Sequence, residues 1–333
     1  MALKPPVEVP QGAIRFNTDS NKLEFFAQDQ WGQMATDPTA PLGGGRGCFC
    51  GGSPQVNIID YVTIATAGNA IDFGDTQETP LNPSAAADST RGLIVGGYSP
   101  AVTNTISYIT FSTTGNAADF GDMPVVISYD GGVNSSTRAV FGGSWTPSAY
   151  QNYINYVTIQ STGNGADFGD VSSTRQIDGS ASSPTRGIFF GGYQTAPVRA
   201  INTIEYITHA TLGNALDFGD MTVKQYGQGG FSNSTRAIAA GGNTYPTLIK
   251  SMDYLQMATL GNSINFGDIY DEVVYPGAFA SPTRGVIGGG MSPSNLSDIN
   301  YVTIATTGDS VDFGDLTSGR NSIKGISDVN GGL

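Results

Sequence analysis

The chain has 333 residues, 46 of them glycine, and a formal net charge of −13. Charged residues make up only 13% of it, against about 25% in an average globular protein. An acidic chain without a Lys/Arg cluster cannot displace the counterions of phosphate, so we expect no nucleic-acid partner. No apolar run reaches membrane length, so we expect no membrane insertion. Abundant Thr, Ser, Tyr, Ile and Val between the glycines predict an all-β protein of short strands and tight turns.

The first segment, residues 1–41, differs from everything that follows. Its stretches "AIRFN" (13–17) and "KLEFF" (22–26) predict two strands joined by the turn "TDSN" (18–21), with Trp31 close behind. A lone β-hairpin is marginally stable in water, so we expect another surface, or copies of the same segment in a homo-oligomer, to stabilise it. The segment is therefore predicted to serve attachment. Its start, "MALKPPVEVPQG", has no apolar core of signal-peptide length, so we expect a soluble protein made in a cytoplasm.

Residues 42–333 are repetitive. Six units of 45 to 50 residues each contain an arginine, then a tyrosine, then a phenylalanine followed by glycine. The arginines are Arg46, Arg91, Arg138, Arg186, Arg236 and Arg284; the tyrosines are Tyr61, Tyr108, Tyr156, Tyr206, Tyr254 and Tyr301; the phenylalanines are Phe73, Phe120, Phe168, Phe218, Phe266 and Phe313. A motif that recurs at a nearly constant interval indicates a repeat architecture.

One unit contains four predicted strands. In the third unit these are "PVVISYD" (124–130), "TRAVF" (137–141), which we expect Gly142 and Gly143 to stop, "NYVTIQS" (155–161) and "ADF" (166–168). Four short strands in about 48 residues match one blade of a β-propeller. The Gly-Gly-aromatic endings in "GLIVGGY" (92–98) and "GIFFGGY" (187–193) resemble kelch repeats, although the usual kelch tryptophan is here a phenylalanine.

The two ends of the repeat region predict a closed ring. The first unit begins at "GGRGCFCGG" (44–52) without a preceding innermost strand, while the last unit is followed by an extra stretch, "RNSIKGISDVNGG" (320–332). Pairing the two would complete a blade and leave no open sheet edge. The sequence therefore predicts a six-bladed, kelch-like β-propeller over 42–333, closed by the C-terminal strand and preceded by a small β-hairpin attachment segment.

Side chains suited to catalysis or metal binding are few. The Asp-Phe-Gly tripeptide also occurs in protein kinases, but a kinase needs a His-Arg-Asp loop, and the single histidine is His209. His209 stands where the other units have apolar residues, which favours a packed, neutral imidazole. Cys48 and Cys50 share one face of a strand, and buried reduced thiols are the favoured interpretation over a metal site. We expect no catalytic residues, no metal and no cofactor.

The residues common to all units are interpreted as structural, because one active site has no use for six copies. We expect the glycines to form turns, the phenylalanines to pack between blades, and the six arginines to pair with the eleven motif aspartates, with Asn265 in place of the twelfth. The alternative is a functional carboxylate ring that binds calcium.

Function is expected where the units differ, in the loops after the Gly-Gly pairs. Four aromatic residues there are the predicted binding residues: Trp145, Tyr150, Tyr193 and Tyr245. With neighbouring Ser, Asn and Pro they could stack on sugar rings and bond hydroxyl groups. The alternative is that these loops are solvated turns.

Two stretches carry a resemblance to phage proteins. "GAIRFNTDSNKLEFF" (12–26) resembles a short module of tail-fibre and other virion proteins of tailed bacteriophages, and the repeat at 60–76 and 300–316 is similar to repeats in structural proteins of marine phages. The resemblance implies a tail fibre, baseplate component or capsid appendage, located in the virion and held by other virion proteins through residues 1–41. We expect it to display the propeller to a host-surface glycan or protein. The alternative is a depolymerase-like carbohydrate-active enzyme on the same scaffold.

Overall fold

The structure is a computed structural model that describes residues 10, 13–17, 22–27, 30–33, 45–329 and 331. The chain divides into two compact units, Met1–Gly43 and Gly44–Leu333. Every regular element among the described residues is a β-strand. That part of the chain therefore includes no helix of the length and apolarity that a membrane span requires.

The N-terminal unit contains a three-stranded antiparallel sheet in the order β1 (Ile14–Asn17), β2 (Lys22–Ala27) and β3 (Gln30–Gln33). Its first two strands are those predicted, and the expected turn at 18–21 lies outside the described residues. The third strand was not predicted, because "QWGQ" has one apolar residue and a glycine. Trp31 on β3 packs edge-on against Phe26, with ring centroids 5.3 Å apart, and the Arg15 guanidinium lies 4.1 Å from the Trp31 ring centroid.

The second unit is the predicted six-bladed β-propeller, built from six four-stranded antiparallel sheets. In chain order, blade 1 has β4 (Arg46–Cys50), β5 (Ile58–Thr63) and β6 (Ile71–Asp75); blade 2 has β7 (Ser84–Ala87), β8 (Arg91–Val95), β9 (Thr105–Thr110) and β10 (Ala118–Asp122); blade 3 has β11 (Gly131–Asn134), β12 (Arg138–Trp145), β13 (Tyr150–Thr158) and β14 (Ala166–Asp170). Blade 4 has β15 (Gly179–Ser182), β16 (Arg186–Tyr193), β17 (Ala200–Thr208) and β18 (Leu216–Gln225); blade 5 has β19 (Gly229–Ser232), β20 (Arg236–Asn243), β21 (Leu248–Gln256) and β22 (Ile264–Asp268); blade 6 has β23 (Gly277–Ala280), β24 (Arg284–Gly288), β25 (Asp298–Thr303) and β26 (Val311–Asp315). The last strand, β27 (Lys324–Ser327), returns to blade 1.

The ring is closed by both ends of the repeat region, as predicted. Strand β27 pairs antiparallel with β4, with Ile326 opposite Cys48 and Lys324 opposite Cys50. The six innermost strands contact one another in cyclic order around the axis, β7, β11, β15, β19, β23 and β27. The sheet edge that either end alone would expose is therefore covered.

The innermost strand was predicted wrongly. Residues 124–130 form a loop, and the innermost strand of blade 3 is β11, Gly131–Asn134. The six innermost strands are rich in Gly, Ala and Ser because they crowd around the axis: a Cβ at Gly132 would lie 2.1 Å from the Ala85 carbonyl oxygen of the preceding blade. Small residues have low β-propensity, so a sequence pattern favours the wrong neighbouring stretch.

The Gly-Gly pairs end the second strand in only half of the blades. Strands β4, β8 and β24 end at or before the pair, as predicted, whereas β12, β16 and β20 continue through it to Trp145, Tyr193 and Asn243. In β12 the pairing register shifts between Gly142 and Ser144, and Gly143 has a φ of +66°. Blades 3 to 5 therefore carry extended hairpins at the end of the ring where the innermost strands begin.

The core lies between neighbouring blades. Phe120 of blade 2, for example, packs in one cluster with Ala139, Phe141 and Val157 of blade 3. All six repeat phenylalanines are buried, which confirms their predicted packing role. Cys48 and Cys50 are buried and free, and burial raises the pKa of both thiols, that of Cys50 to about 12.

Candidate functional site

The Asp-Phe-Gly-Asp motif joins each blade to the next through its backbone. In blade 1 the Phe73 carbonyl accepts from Gly115 N–H at 2.8 Å, and Asp75 N–H donates to the Asn116 side-chain oxygen at 3.1 Å. Gly74 between them has a φ of +146°, and a Cβ there would lie 2.4 Å from the Gly115 carbonyl oxygen. The backbone hydrogen bonds recur at all six junctions between blades. At the junction of blade 6 with blade 1, Asp315 N–H donates to the Asn69 side-chain oxygen at 3.1 Å. The motif is therefore a structural joint between blades.

The repeat arginines also join blades, but not by the predicted ion pairs. Each guanidinium lies 4.4 to 4.9 Å from the ring centroid of the tyrosine in its own blade. Each also donates a hydrogen bond to a backbone carbonyl of the next blade, as Arg91 does to Ile159 at 2.9 Å. No ion pair among the described residues joins a repeat arginine to a motif aspartate. The prediction failed because the aspartates lie on the outermost strand, whereas the arginines lie on the second strand.

His209 is buried between blades, as predicted. Its ring packs against Gly187, and among the described residues neither ring nitrogen has a hydrogen bond of normal geometry, although the backbone at Arg186 and Ser183 lies close enough to oppose part of the pKa shift. Burial, with a smaller contribution from the Arg138 charge, lowers the pKa of His209 from 6.5 to about 4. The imidazole is therefore neutral at physiological pH.

The four predicted binding residues lie on the extended hairpins of blades 3 to 5. Trp145 ends β12 and is the cross-strand partner of Tyr150, the first residue of β13. Tyr193 ends β16, and Tyr245 lies in the hairpin loop of blade 5, with 47% of its surface exposed. Three of the four therefore lie in strands, not in loops, and are half-buried.

Three of these rings, those of Trp145, Tyr150 and Tyr193, belong to a larger cluster on one end of the propeller. The aromatic cluster consists of Tyr129, Trp145, Tyr150, Tyr193, Tyr226 and Tyr275, with neighbouring ring centroids 4.8 to 6.3 Å apart. Sequence reasoning missed Tyr129, Tyr226 and Tyr275. The signal was present, since each stands two or three residues before a Gly-rich innermost strand, in "YDGG", "YGQGG" and "YPGA".

Tyr129 and Tyr275 meet across the propeller axis. They belong to blades 3 and 6, which are opposite each other in the ring, and their ring centroids are 5.8 Å apart. Both residues have positive φ values, 62° and 58°. The innermost strands surround a channel whose cavity volume is about 50 Å³, space for a few water molecules.

Charged groups lie beside this channel. The Asp178 carboxylate accepts hydrogen bonds from Gly227 N–H at 2.9 Å and from the Gln176 side chain at 3.0 Å, and Lys324 Nζ donates to the Asp178 carbonyl at 2.6 Å. Burial raises the pKa of Asp178 and Asp130 and lowers that of Lys324.

Burial also raises the pKa of two phenols of the cluster. It raises the pKa of Tyr129 to about 12 and the pKa of Tyr275 well above its usual value, with a smaller contribution from the Asp178 charge in both cases. The low polarity that raises these two pKa values shows that both hydroxyl groups lie largely out of water.

One arginine borders the aromatic cluster. The Arg199 guanidinium lies 4.1 Å from the Tyr245 ring centroid, and its Nη1 donates to the Tyr193 hydroxyl at 2.9 Å. The end of the propeller thus presents ring faces, phenol hydroxyls and one cation, the groups that proteins use to stack on and hydrogen-bond polar ligands.

We also searched the described residues for side chains that could bind a metal ion together. The described residues contain no group of three or more His, Cys, Asp or Glu side chains that could hold a metal ion. Comparison with protein-family models and with curated proteins finds no match to this chain.

Proposed function

We propose that the chain is a non-enzymatic component of a tailed-phage particle, and that it displays the propeller so that the aromatic cluster binds a host-surface glycan or protein. The observation that carries the binding part is the aromatic cluster itself. Six aromatic side chains share one end of the propeller, while the same end of blades 1 and 2 has no extended hairpin.

The cluster suits ligand binding because its rings are already ordered. Each ring contacts at least one other, so a ligand that stacks on them immobilises few side chains. The cluster rings on the extended hairpins are not part of the frame common to all blades, since the second strands of blades 1, 2 and 6 end at or before the Gly-Gly pair. Rigid aromatic area with a polar hydroxyl is typical of binding surfaces for glycans and proteins.

The particle location rests on the sequence resemblance of residues 12–26 and of the repeats. In support of an attachment role, Ile14 and Phe16 on one face of β1 are 61% and 56% exposed. We propose that residues 1–41 bind other virion proteins and form a homo-oligomer on the particle. Mass spectrometry of purified particles of the encoding phage tests the location, and light scattering of the full chain, with and without residues 1–41, tests the oligomer.

Binding is tested with the full chain and two matched double variants. We expect Tyr150→Ala/Tyr193→Ala to weaken adsorption to host cells at least tenfold, because it removes two adjacent rings of the cluster. The control is Tyr153→Ala/Tyr270→Ala, two exposed tyrosines outside the cluster, which should adsorb as the parent does. If the cluster variant folds and adsorbs as well as the parent, the protein is better described as a structural spacer.

The enzymatic alternative is favoured by one observation, the two buried carboxyl groups of Asp130 and Asp178, whose pKa values burial raises. A glycosidase needs such groups on either side of a bound sugar. The cavity beside Asp178 has a volume of about 50 Å³, which has space for a few waters and is too small for a sugar ring. We therefore expect no new reducing ends when the full chain is incubated with polysaccharides that it binds; release of reducing ends that Asp178→Asn abolishes would establish the enzyme instead.

A further inference from the structure

Arg199 lies outside the repeat pattern. It is the last residue of the hairpin loop of blade 4, directly before β17, and it has a φ of 57°. Its guanidinium is placed between two tyrosines of neighbouring hairpins: it stacks on the Tyr245 ring of blade 5 and donates to the Tyr193 hydroxyl of blade 4. A long, flexible side chain is thereby held in one position at the edge of the aromatic cluster.

The hydrogen-bond partner of Arg199 is an uncharged phenol. Each repeat arginine stacks on a tyrosine but also donates to a backbone carbonyl of the next blade, whereas Arg199 donates to a phenol. Among the residues that the structure describes, no carboxylate lies within ion-pair distance of Arg199, although the chain has 28 Asp and Glu and a net charge of −13. Stacking uses the face of a guanidinium, so the N–H groups in its plane can still donate to a planar carboxylate or a tetrahedral sulfate.

We infer that the aromatic cluster binds an acidic polysaccharide, with sugar rings stacked on Tyr193 and its neighbours and the anionic group of one sugar paired with Arg199. This inference rests on the proposed binding function and names its ligand class. Ring faces alone accept neutral and acidic sugars alike, so Arg199 is the residue that gives preference for the anion. The chain as a whole is acidic, so its other surfaces repel an acidic polymer. Binding of such a polymer is therefore expected only where the sugar rings can stack on the aromatic cluster.

The experiment measures binding of the full chain to three soluble polymers: polygalacturonate, which carries carboxylates, dextran sulfate, which carries sulfates, and neutral dextran. We expect the parent to bind at least one acidic polymer at least tenfold more tightly than dextran, and more weakly as salt is raised, since salt screens the ion pair. The two acidic polymers distinguish a carboxylate from a sulfate as the group that Arg199 binds.

Two variants isolate the arginine. Arg199→Gln should reduce binding of the acidic polymer about tenfold, as expected for loss of a charge-assisted hydrogen bond, and leave dextran binding unchanged. Lys250→Gln is the matched control, because it removes the same charge from a side chain whose Nζ already lies 3.4 Å from the Asp268 carboxylate; it should bind as the parent does. Thermal unfolding of each variant tests whether the fold is retained. If Arg199→Gln unfolds, Arg199→Lys takes its place: it keeps the charge but loses the planar guanidinium, and it should bind the acidic polymer more weakly than the parent.

The outcomes separate this inference from the proposed function. Equal binding of the acidic polymer by Arg199→Gln and the parent overturns the inference, as does a parent that binds all three polymers equally or none of them. In each of these cases the proposed function still stands if Tyr150→Ala/Tyr193→Ala weakens adsorption to cells. If that double variant also adsorbs normally, both the inference and the proposed function fail.

Discussion

His209 occupies a position that is apolar in every other blade, where Ile64, Phe111, Ile159, Met257 and Ile304 stand. Its pKa is about 4 in the folded state and 6.5 when exposed, so the unfolded chain binds more protons at pH values between these two. The folded state therefore loses stability as the pH falls through this window, and the loss is complete below pH 4. His209→Ile removes the titrating group.

We expect the parent to lose roughly 2 kcal/mol more unfolding free energy than His209→Ile between pH 7 and pH 5. Urea unfolding of both proteins at the two pH values gives this difference directly. Carboxylates common to both chains cancel in the comparison. Parallel pH dependence of the parent and the variant would show that His209 is already protonated, or solvated, in the folded state.

A second prediction at this scale concerns Arg320, whose side chain and that of its partner Asp60 are both 0% exposed. Arg320 Nη2 donates to the Asp60 carboxylate at 2.6 Å, and Nη1 donates to the Gly51 carbonyl at 2.8 Å. Arg320→Leu leaves a buried carboxylate without its cation, which costs about 3–5 kcal/mol, whereas replacing both partners by apolar residues is often neutral.

Chemical denaturation should therefore rank the double variant Arg320→Leu/Asp60→Leu as more stable than Arg320→Leu alone. The carbonyl of Gly51 loses its donor in both variants, and the double variant also loses the Asp60 oxygens that accept from Thr317, so the difference between them reports the buried charge less those hydrogen bonds. A double variant no more stable than the single one would mean that water reaches Asp60 once the arginine is gone.

At the scale of one element, the joint between blades is made by the backbone of the Asp-Phe-Gly-Asp strand. Gly121 has a φ of +144°, and a Cβ there would lie 2.5 Å from the Gly163 carbonyl oxygen of the next blade. Gly121→Ala should therefore lower the unfolding free energy by roughly 2 kcal/mol or more. Asp122→Asn keeps the N–H that donates to Asn164 and should change stability by less than about 0.5 kcal/mol.

Thermal unfolding of these two single variants decides between a backbone joint and a carboxylate site. If Asp122→Asn is the more damaging change, the aspartate side chain has a role of its own. Calcium titration of the same two proteins then tests the carboxylate ring that the sequence left open as an alternative.

Blade number and ring closure could be predicted from sequence, because the Arg, Tyr and Phe of each unit recur at a regular interval and because one chain end lacks the strand that the other has spare. The innermost strands could not, since residues such as those of "GGVN" are selected by backbone crowding at the axis and not by strand propensity. The ion pairs of the arginines were wrongly predicted for a related reason. Charge suggests a carboxylate partner, but the neighbouring blade offers a carbonyl, as Ile159 does to Arg91.

The candidate site was predicted only in part, because its members come from different blades. Trp145, Tyr150, Tyr193 and Tyr245 could be singled out as aromatic residues at positions that vary between units. Tyr129 and Tyr275, by contrast, are far apart in sequence and meet only because opposite blades converge on the axis. Their contact follows from the number of blades and the short innermost strands, which a single unit does not reveal.

At the scale of the whole molecule, stability depends on the pairing of β4 with β27, the first and last strands of the propeller. Truncation after Gly319 removes β27 and Arg320, so it exposes the edge of β4 and leaves Asp60 buried without its cation. It also removes one of the six innermost strands that contact each other around the axis. An open sheet edge of buried residues such as Cys48 and Phe49 is a template for pairing with another chain.

We therefore expect the truncated chain to aggregate or to melt at least 10 °C lower. The truncation costs several kcal/mol, and each kcal/mol lowers the melting temperature of a chain of this size by about 2–4 °C. Size-exclusion chromatography and thermal unfolding make the measurement, with a chain shortened after Gly331 as the control that keeps β27. A chain ending at Gly319 that stays soluble, with unchanged melting and unchanged oligomeric state, would show that the ring does not depend on its closing strand.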